Sequence, residues 1–367
     1  MTIERDQDTL VIRRGGVDLY GWTGVEVTTA IDEAVSSFSV TVSGAYANEA
    51  SADLREDDEV EVWIGDDRVI TGVVDEVDLG GDGASLTASV AGRSKTREAV
   101  DCSAPAGVWS GLRLDALARK LLAPYRLDLV DEAGVGAEIV RSHRTADGET
   151  VFDALDRLSR DLSFLVTDDA AGRVVLTRGG KGGRIFHPIR RGADDVISGS
   201  VSRSCAERFS DYLVAGQSFS DLDVNANVQG GARDVGVSRF RQLTIKPERG
   251  LSQKAAAARA RWEASTRAAK VLSAEYTLRG WRPYDGRIWR KNTLVRVWDT
   301  HGRLDGAELL VVGVTFRDSA QEGKTTSLRL APLAAFEPPP KADVAIATGD
   351  YEAPPSTDPN DEDERDQ

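Results

Sequence analysis

The residue types able to carry chemistry are few in this chain and stand far apart. His143, His187 and His301 lie in separate segments, none within an HExxH or a triad-like neighbourhood, so neither a zinc hydrolase nor a serine nucleophile has its parts. Each reads as a surface or strand-end imidazole. Cys102 and Cys205 have no CxxC or Cys/His spacing around either, which argues against a metal site and against a disulfide framework. Both are expected to be reduced, semi-buried thiols. Neighbouring carboxylates such as Asp57-Asp58 and Asp194-Asp195 are too common among 60 acidic residues to single out an acid and a base for glycoside hydrolysis. "RGGKGGR" at 178–184 lacks the spacing and the strand-to-helix setting of a phosphate cradle, and reads as a loop. "DLDVNANVQG" at 221–230 opens like a calcium loop with Asp221, Asp223 and Asn225, but Ala226 replaces the turn glycine and Ala232 the bidentate glutamate. No catalytic residue, metal or cofactor is expected.

Aromatic residues are the remaining candidates. "LRGWRPYDGRIWRKNTLVRVWD", residues 278–299, holds three of the seven tryptophans, interleaved with Arg, Gly, Pro and Asp. Such a cluster could stack on a base, a sugar or a proline-rich peptide, or it could hold a fold together. Trp281 and Trp289 bracket a turn favoured by Pro283 and Gly286. Trp298 shares a strand face with Leu294, four residues earlier. Rings so placed usually pack a barrel end or a subunit contact, each burying on the order of 150 to 250 Å². Trp22, Trp63, Arg93 and Trp262 join Trp281, Trp289 and Trp298 as expected packing or interface residues. A carbohydrate- or peptide-binding module on Trp281, Trp289 and Trp298 is the competing reading, and a cell-wall hydrolase a more distant one.

The elements that would position these residues follow two rhythms. Alternation with period two marks Val25-Val27, Phe38-Val40-Val42, Val60-Val62-Ile64, Val69 to Val77 and Leu86 to Val90, joined by Gly and Asp turns. Five short strands so close together predict a small antiparallel β-barrel over 1–98. Helical spacing then takes over at Leu114, Leu117, Ala118, Leu121 and Leu122, stopped by Pro124, and again at Val151, Leu155 and Leu158 behind a Thr150 cap. Residues 99–190 are therefore an α+β domain. A second β-barrel is predicted over 191–336, repeating the plan of the first, with an inserted helix near 252–272. Ser252 caps that helix, and Ala255, Ala258, Trp262, Ser265, Ala269 and Leu272 form its stripe; 219–237 reads as a loop. The fold class is mainly β with an α+β insertion: two small antiparallel β-barrel domains flanking a helix-strand domain.

Charge separates the last segment from the rest. Residues 337–367 carry ten acids against two bases, eight of the fourteen net negative charges, in a Pro-rich run with few bulky apolar residues. Such a tail cannot bury enough surface to offset its ordering entropy and is expected to be disordered. The remainder is only mildly acidic, which argues against wrapping nucleic acid as the main task. No apolar run reaches the roughly 18 residues of a membrane span, and the charged start "MTIERDQDTLVIRR" is unlike a secretory signal. Folding in a cytoplasm without stable membrane insertion is expected.

Taken in order, "LYGWTGVEVTTAIDEAVSSFSVTVS", "VEVWIGDDRVITGVVDEVD", "VAGRSKTREAVDCSA", "LARKLLAPYRLDL", "ETVFDALDRLSRDLSFLVTDDAAGRVVLTR", "ERFSDYLVAGQS", "AAARARWEAS" and "IWRKNTLVRV" resemble the baseplate hub proteins of Mu-like contractile-tailed phages. The resemblance covers roughly residues 8–335. It implies a homotrimer without enzymatic activity, whose two barrel domains per chain form a ring of pseudo-sixfold symmetry. Its implied partners are the central spike, the tail tube or a tube initiator, and other baseplate proteins, with DNA met only in passage through the channel. Its implied place is the virion's tail baseplate, after assembly in the bacterial cytoplasm. The segment after 336 departs from the family pattern.

Overall fold

The structure, a computed structural model, describes residues 7–43, 54–81, 86–217, 227–247 and 251–341. The calcium-like opening at 221–226 and the acidic segment 342–367 lie outside the described residues. No helix among the described residues is long and apolar enough to cross a membrane.

Alternating apolar residues build the first module. Strands β1 (Leu10–Arg14), β2 (Val17–Leu19), β3 (Gly24–Ala30), β4 (Ser37–Ser43), β5 (Glu59–Ile64), β6 (Asp67–Gly81) and β7 (Leu86–Ser94) pair antiparallel in the order β3-β4-β7-β6-β5-β1-β2. Val27, Val40, Val62, Ile64 and Ile70 have no measurable exposure, as period-two patterning requires of the inner face.

The middle module runs α1 (Arg97–Asp101), β8 (Val108–Arg113), α2 (Leu114–Leu122), β9 (Leu129–Asp131), β10 (Ile139–Arg144), α3 (Val151–Leu162), β11 (Leu165–Asp168) and β12 (Val174–Thr177). The whole expected stripe of α2 is buried, and a single 3-10 turn over Ala123–Tyr125 carries Pro124 beyond it. Thr150 caps α3 by accepting the Asp153 N–H at 3.1 Å.

The last module comprises β13 (Ile189–Arg190), β14 (Val196–Arg203), β18 (Leu272–Arg279), β19 (Leu294–Asp299), β20 (Leu304–Ser319) and β21 (Gly323–Ala331). Between β14 and β18 sits a separate layer: the sheet β16-β15-β17, from β15 (Asp211–Gln217), β16 (Asn227–Arg233) and β17 (Gln242–Ile245), covered by α4 (Gln253–Ala269). Ser252 caps α4 through the Ala255 N–H.

Two expectations need correction here. The polar stretch 219–237, read as a loop, contains β16, because "NVQGGAR" pairs along its full length with β15 despite offering little apolar alternation. The buried stripe of α4 is Ala255, Ala256, Ala260, Glu263 and Thr266, while Ser265 is exposed and Ala258 and Trp262 are only half-buried. A run of four alanines leaves the helix phase undecided, and close packing chose the face. Gly230 shows the constraint: a Cβ there would lie 2.2 Å from the backbone carbon of Ala256, whereas one at Gly231 meets nothing nearer than 3.9 Å. Gly230→Ala is therefore expected to destabilise by about 1–3 kcal/mol through forced separation of α4 from β16. Gly231→Ala should be near neutral, and paired urea titrations check the contrast.

The two β modules are one sheet. β3 pairs antiparallel with β20 over seven residues, joining thirteen strands in the order β14-β18-β21-β20-β3-β4-β7-β6-β5-β1-β2, with β19 beside β20 and β13 beside β19. The halves also repeat one another. The order β3-β4-β7-β6-β5-β1 of the first recurs as β14-β18-β21-β20-β19-β13 in the second, except that β13 runs parallel to β19 where β1 runs antiparallel to β5. The register agrees: β6 and β20 are each bulged at equivalent points, between Val74 and Glu76 and between Val311 and Gly313. "VEVW" at 60–63 then falls on "VRVW" at 295–298. One hydrophobic cluster runs through both halves, from Val27, Val62 and Ile70 to Tyr276, Val297 and Leu328.

Candidate functional site: a junction of three modules on the tryptophan stretch

The segment between β18 and β19 turns its aromatic residues inward. Trp281 is wholly buried, and its Nε1 donates to the Arg317 carbonyl at 2.9 Å. Its ring meets Phe316 edge-on at 6.3 Å, with Lys324 5.4 Å from the centroid. Trp289 is 3% exposed. Neither ring has a free face for a ligand to stack on.

With the rings inside, the polar residues between and after them reach the other modules. Arg282 donates to Asp67 at 2.7 Å, to Asp8 at 3.2 Å and to the carbonyls of Gln7 and Ile64, all in the first module. Arg290 adds a second contact to Asp67 at 2.8 Å. Asn292 holds the chain leaving the middle module: its amide nitrogen donates to the Arg178 carbonyl at 3.0 Å, and its side-chain oxygen accepts the Gly180 N–H at 2.6 Å. Its own φ is 63°, a conformation asparagine tolerates better than most residues. "RGGKGGR" is indeed a turn-rich loop, and Gly182 permits this approach, since a Cβ there would lie 2.7 Å from the Asn292 carbonyl oxygen.

Lys291 joins all three modules. Its ammonium donates to the Asp168 carboxylate and Thr167 hydroxyl of the middle module, and to the Ala30 carbonyl of the first. The Asp168 side chain is fully buried and accepts both the N–H and the hydroxyl of Ser36, each at 2.9 Å. Thr167 in turn donates toward the carbonyls of Ala30 and Glu33. A cleft of about 200 Å³ opens beside this network, lined in part by Trp289, Lys291, Asp168 and Phe316. Lys291 and Asp168 neutralise one another while tying the middle module to the other two.

The remaining expected residues are dispersed. Trp63 and Trp298, equivalent in the repeat, are half-buried under Arg13 and Arg190, whose guanidinium carbons lie 4.9 and 4.5 Å from the ring centroids. Trp22 packs against the shared core, its Nε1 buried with no partner among the described residues. Trp262 donates to the Glu337 carbonyl at 2.9 Å, with Arg259 against its ring, and Lys341 pairs with Glu138. Residues 337–341, expected within the disordered tail, are thus held to the body.

Arg93 bridges Asp75 at 2.6 Å and Asp101 at 2.7 Å, and Arg97 also pairs with Asp75. Burial pushes the Asp75 carboxyl up, but hydrogen bonds from Arg93 and Arg97 outweigh it and hold the group below its usual range. A depressed carboxylate contributes stability that is complete above its unfolded value of about 3.9 and is lost as pH falls through the lower native value. Asp75→Asn should therefore flatten the acid limb of a stability-against-pH curve, measured by urea unfolding between pH 6 and 2.

His143, near the end of β10, is buried beside Arg157, His187 pairs with Asp195 at 2.8 Å, and His301 is exposed. Cys102 is half-buried as expected, but Cys205 is exposed, because it falls in the turn after β14 rather than in a strand. Among the described residues no group of three or more His, Cys, Asp or Glu could hold a metal ion.

Sequence reading singled out Trp281 and Trp289 but missed Lys291, Asn292, Asp168 and Arg282. Their role depends on partners more than a hundred positions away, and no local pattern marks it. The alternation over 191–336 already pointed to a repeat of the first module, and the "VxVW" recurrence is a further signal of it at the level of single residues.

Three family profiles match successive parts of the chain. Residues 9–94 match the Mu phage baseplate assembly protein GpP-like N-terminal domain. Residues 96–178 match the second domain of baseplate hub protein gp44-like proteins, and 252–339 the fourth domain of Mu phage baseplate assembly protein GpP. The chain is 31% identical to baseplate hub protein gp44 of Escherichia phage Mu over 356 residues, covering 92% of this chain and 91% of that one. The structure is similar to the 43 kDa tail protein of prophage MuSo2 from Shewanella oneidensis, with a TM-score of 0.79, 28% identity and coverage of 90% and 100%. A tail protein from Neisseria meningitidis MC58 shares the fold at a TM-score of 0.78 and 21% identity, with coverage of 91% and 98%. Three collinear domains and a relative matched along nearly its whole length place this chain in the Mu-like family of phage baseplate hub proteins, structural components of the tail.

Proposed function

We propose that three copies of this chain form a ring that joins the tail tube to the central spike of a contractile tail, without a catalytic role. The observation that carries this reading is the repeat: each chain contributes two β modules of the same strand order, tied edge to edge in one sheet. Three chains would present six such modules to a sixfold tube while keeping threefold symmetry toward the spike. Rigidity supports the same reading, because Arg282, Lys291 and Asn292 tie the modules together and would let the ring carry load when the sheath contracts. The charge that remains outside 337–367, -6 of the total -14, has the sign that disfavours retention of DNA in a channel. We place the module boundaries near 98 and 190, with the tail beginning after 341, and assembly in the bacterial cytoplasm.

The stacking module on Trp281, Trp289 and Trp298 is disfavoured by the burial of the first two rings. Light scattering over a range of concentrations tests the ring. The expected mass is three times 39.5 kDa, and it should stay at three chains when residues after 341 are removed. A mass of one chain throughout would overturn the ring.

A further inference from the structure

Among the described residues, the two strand edges that the repeat says should meet have no partner strand. Within the chain, β3 of the first module pairs with the second half of β20, beyond the residues of β20 that pair with β19. The equivalents are β14 for β3 and β6 for β20. β5 covers β6 only as far as Val73, so the outer edge of Glu76–Gly81 has no partner strand among the described residues. β14 pairs with β18 on one side and, among the described residues, has no partner strand on the other. Each of these two strands carries an exposed apolar residue, Leu79 at 66% and Ile197 at 51%. Open strand edges of this kind are templates for pairing with another chain.

We propose that β14 of one copy pairs antiparallel with Glu76–Gly81 of the next, repeating between chains the β3·β20 junction found within each chain. This rests on the trimeric reading above and specifies its contact. The register follows from the repeat. The ladders β6·β7 and β20·β21 place Leu79 on Phe316, and the ladders through β4 and β18 place Val201 on Val27. Because Phe316 lies opposite Val27, Leu79 of one copy lies opposite Val201 of the next. Asp78 then faces Ser202 where Thr315 faces Thr28, so a carboxylate and a hydroxyl replace two hydroxyls 3.1 Å apart. Leu79, exposed in the single chain, is covered, and Val201, half-buried at the rim of the core, gains its missing neighbour. The contact is head-to-tail, using different surfaces on the two copies, so it closes only as a ring.

The test uses the full chain with Cys102→Ser and Cys205→Ser, after its mass has been measured. Leu79→Cys with Val201→Cys in one chain, oxidised and run under denaturing conditions, should give a ladder ending at three linked chains and collapsing on reduction. Co-expressed single variants should stop at two linked chains, and neither single variant alone should link. Leu79→Lys, a change at an exposed position that leaves the circular-dichroism spectrum unaltered, should shift the native mass to one chain. A parent of three chains that forms no Leu79–Val201 link, or one in which Leu79→Cys links to itself, overturns the strand pairing and leaves the ring standing. A Leu79→Lys variant that remains a trimer does the same. A parent that is one chain at every concentration overturns both.

Discussion

Lys291→Met lowers the stability of the chain by about 3–5 kcal/mol, the cost of leaving a buried charge without its counter-ion. The Asp168 side chain is fully buried, and without the ammonium it retains, among the described residues, the N–H and hydroxyl of Ser36. The Ala30 carbonyl and the Thr167 hydroxyl lose a donor in the same step. Since a domain's net stability is about 5–15 kcal/mol, this is a large share of the total. The loss should fall on the junction: limited proteolysis is expected to cut the connection around 178–184 first, because Asn292 holds that loop from the next position in the chain. The double variant Lys291→Met/Asp168→Leu should regain much of the loss, because an apolar pair removes the orphaned charge. Guanidinium titrations of the parent, the two single variants and the double variant decide the matter. Simple additivity would show that the two side chains are not coupled.

Trp281→Ala is the second large effect, again about 3–5 kcal/mol, from a cavity in the core shared by both β modules. The ring has no exposure, lies edge-on to Phe316, and its Nε1 satisfies the Arg317 carbonyl. Phe316 and Arg317 belong to the part of β20 that pairs with β3, so the void opens at the seam between modules. Trp281→Phe keeps most of the volume but leaves the carbonyl without that donor, and should cost about 1–3 kcal/mol. Calorimetry on the three proteins should rank them wild type, Phe, Ala. If Trp281 were instead a ligand platform, both variants would unfold like the parent.

Much of the local structure is legible in the sequence because it depends on near neighbours. The α2 stripe, the caps at Thr150 and Ser252, and the strands around Val27, Val40 and Val62 follow from spacing alone. Where neighbours were uninformative the reading slipped: the alanines of α4 suit several faces, and the glycines of β16 hide a strand whose value lies in admitting a helix backbone.

The rhythm of the strands, and with it the mainly β fold, is written in the sequence, since period and turn chemistry act over a few residues. Only the tertiary structure decided that β3 joins β20, that Lys291 meets Asp168 across two modules, and that Arg282 crosses to Asp67. Those choices rest on which edges and charges the folded modules leave facing one another. Residues nearly three hundred positions apart, such as Val27 and Phe316, carry no mark of each other until both sheets exist.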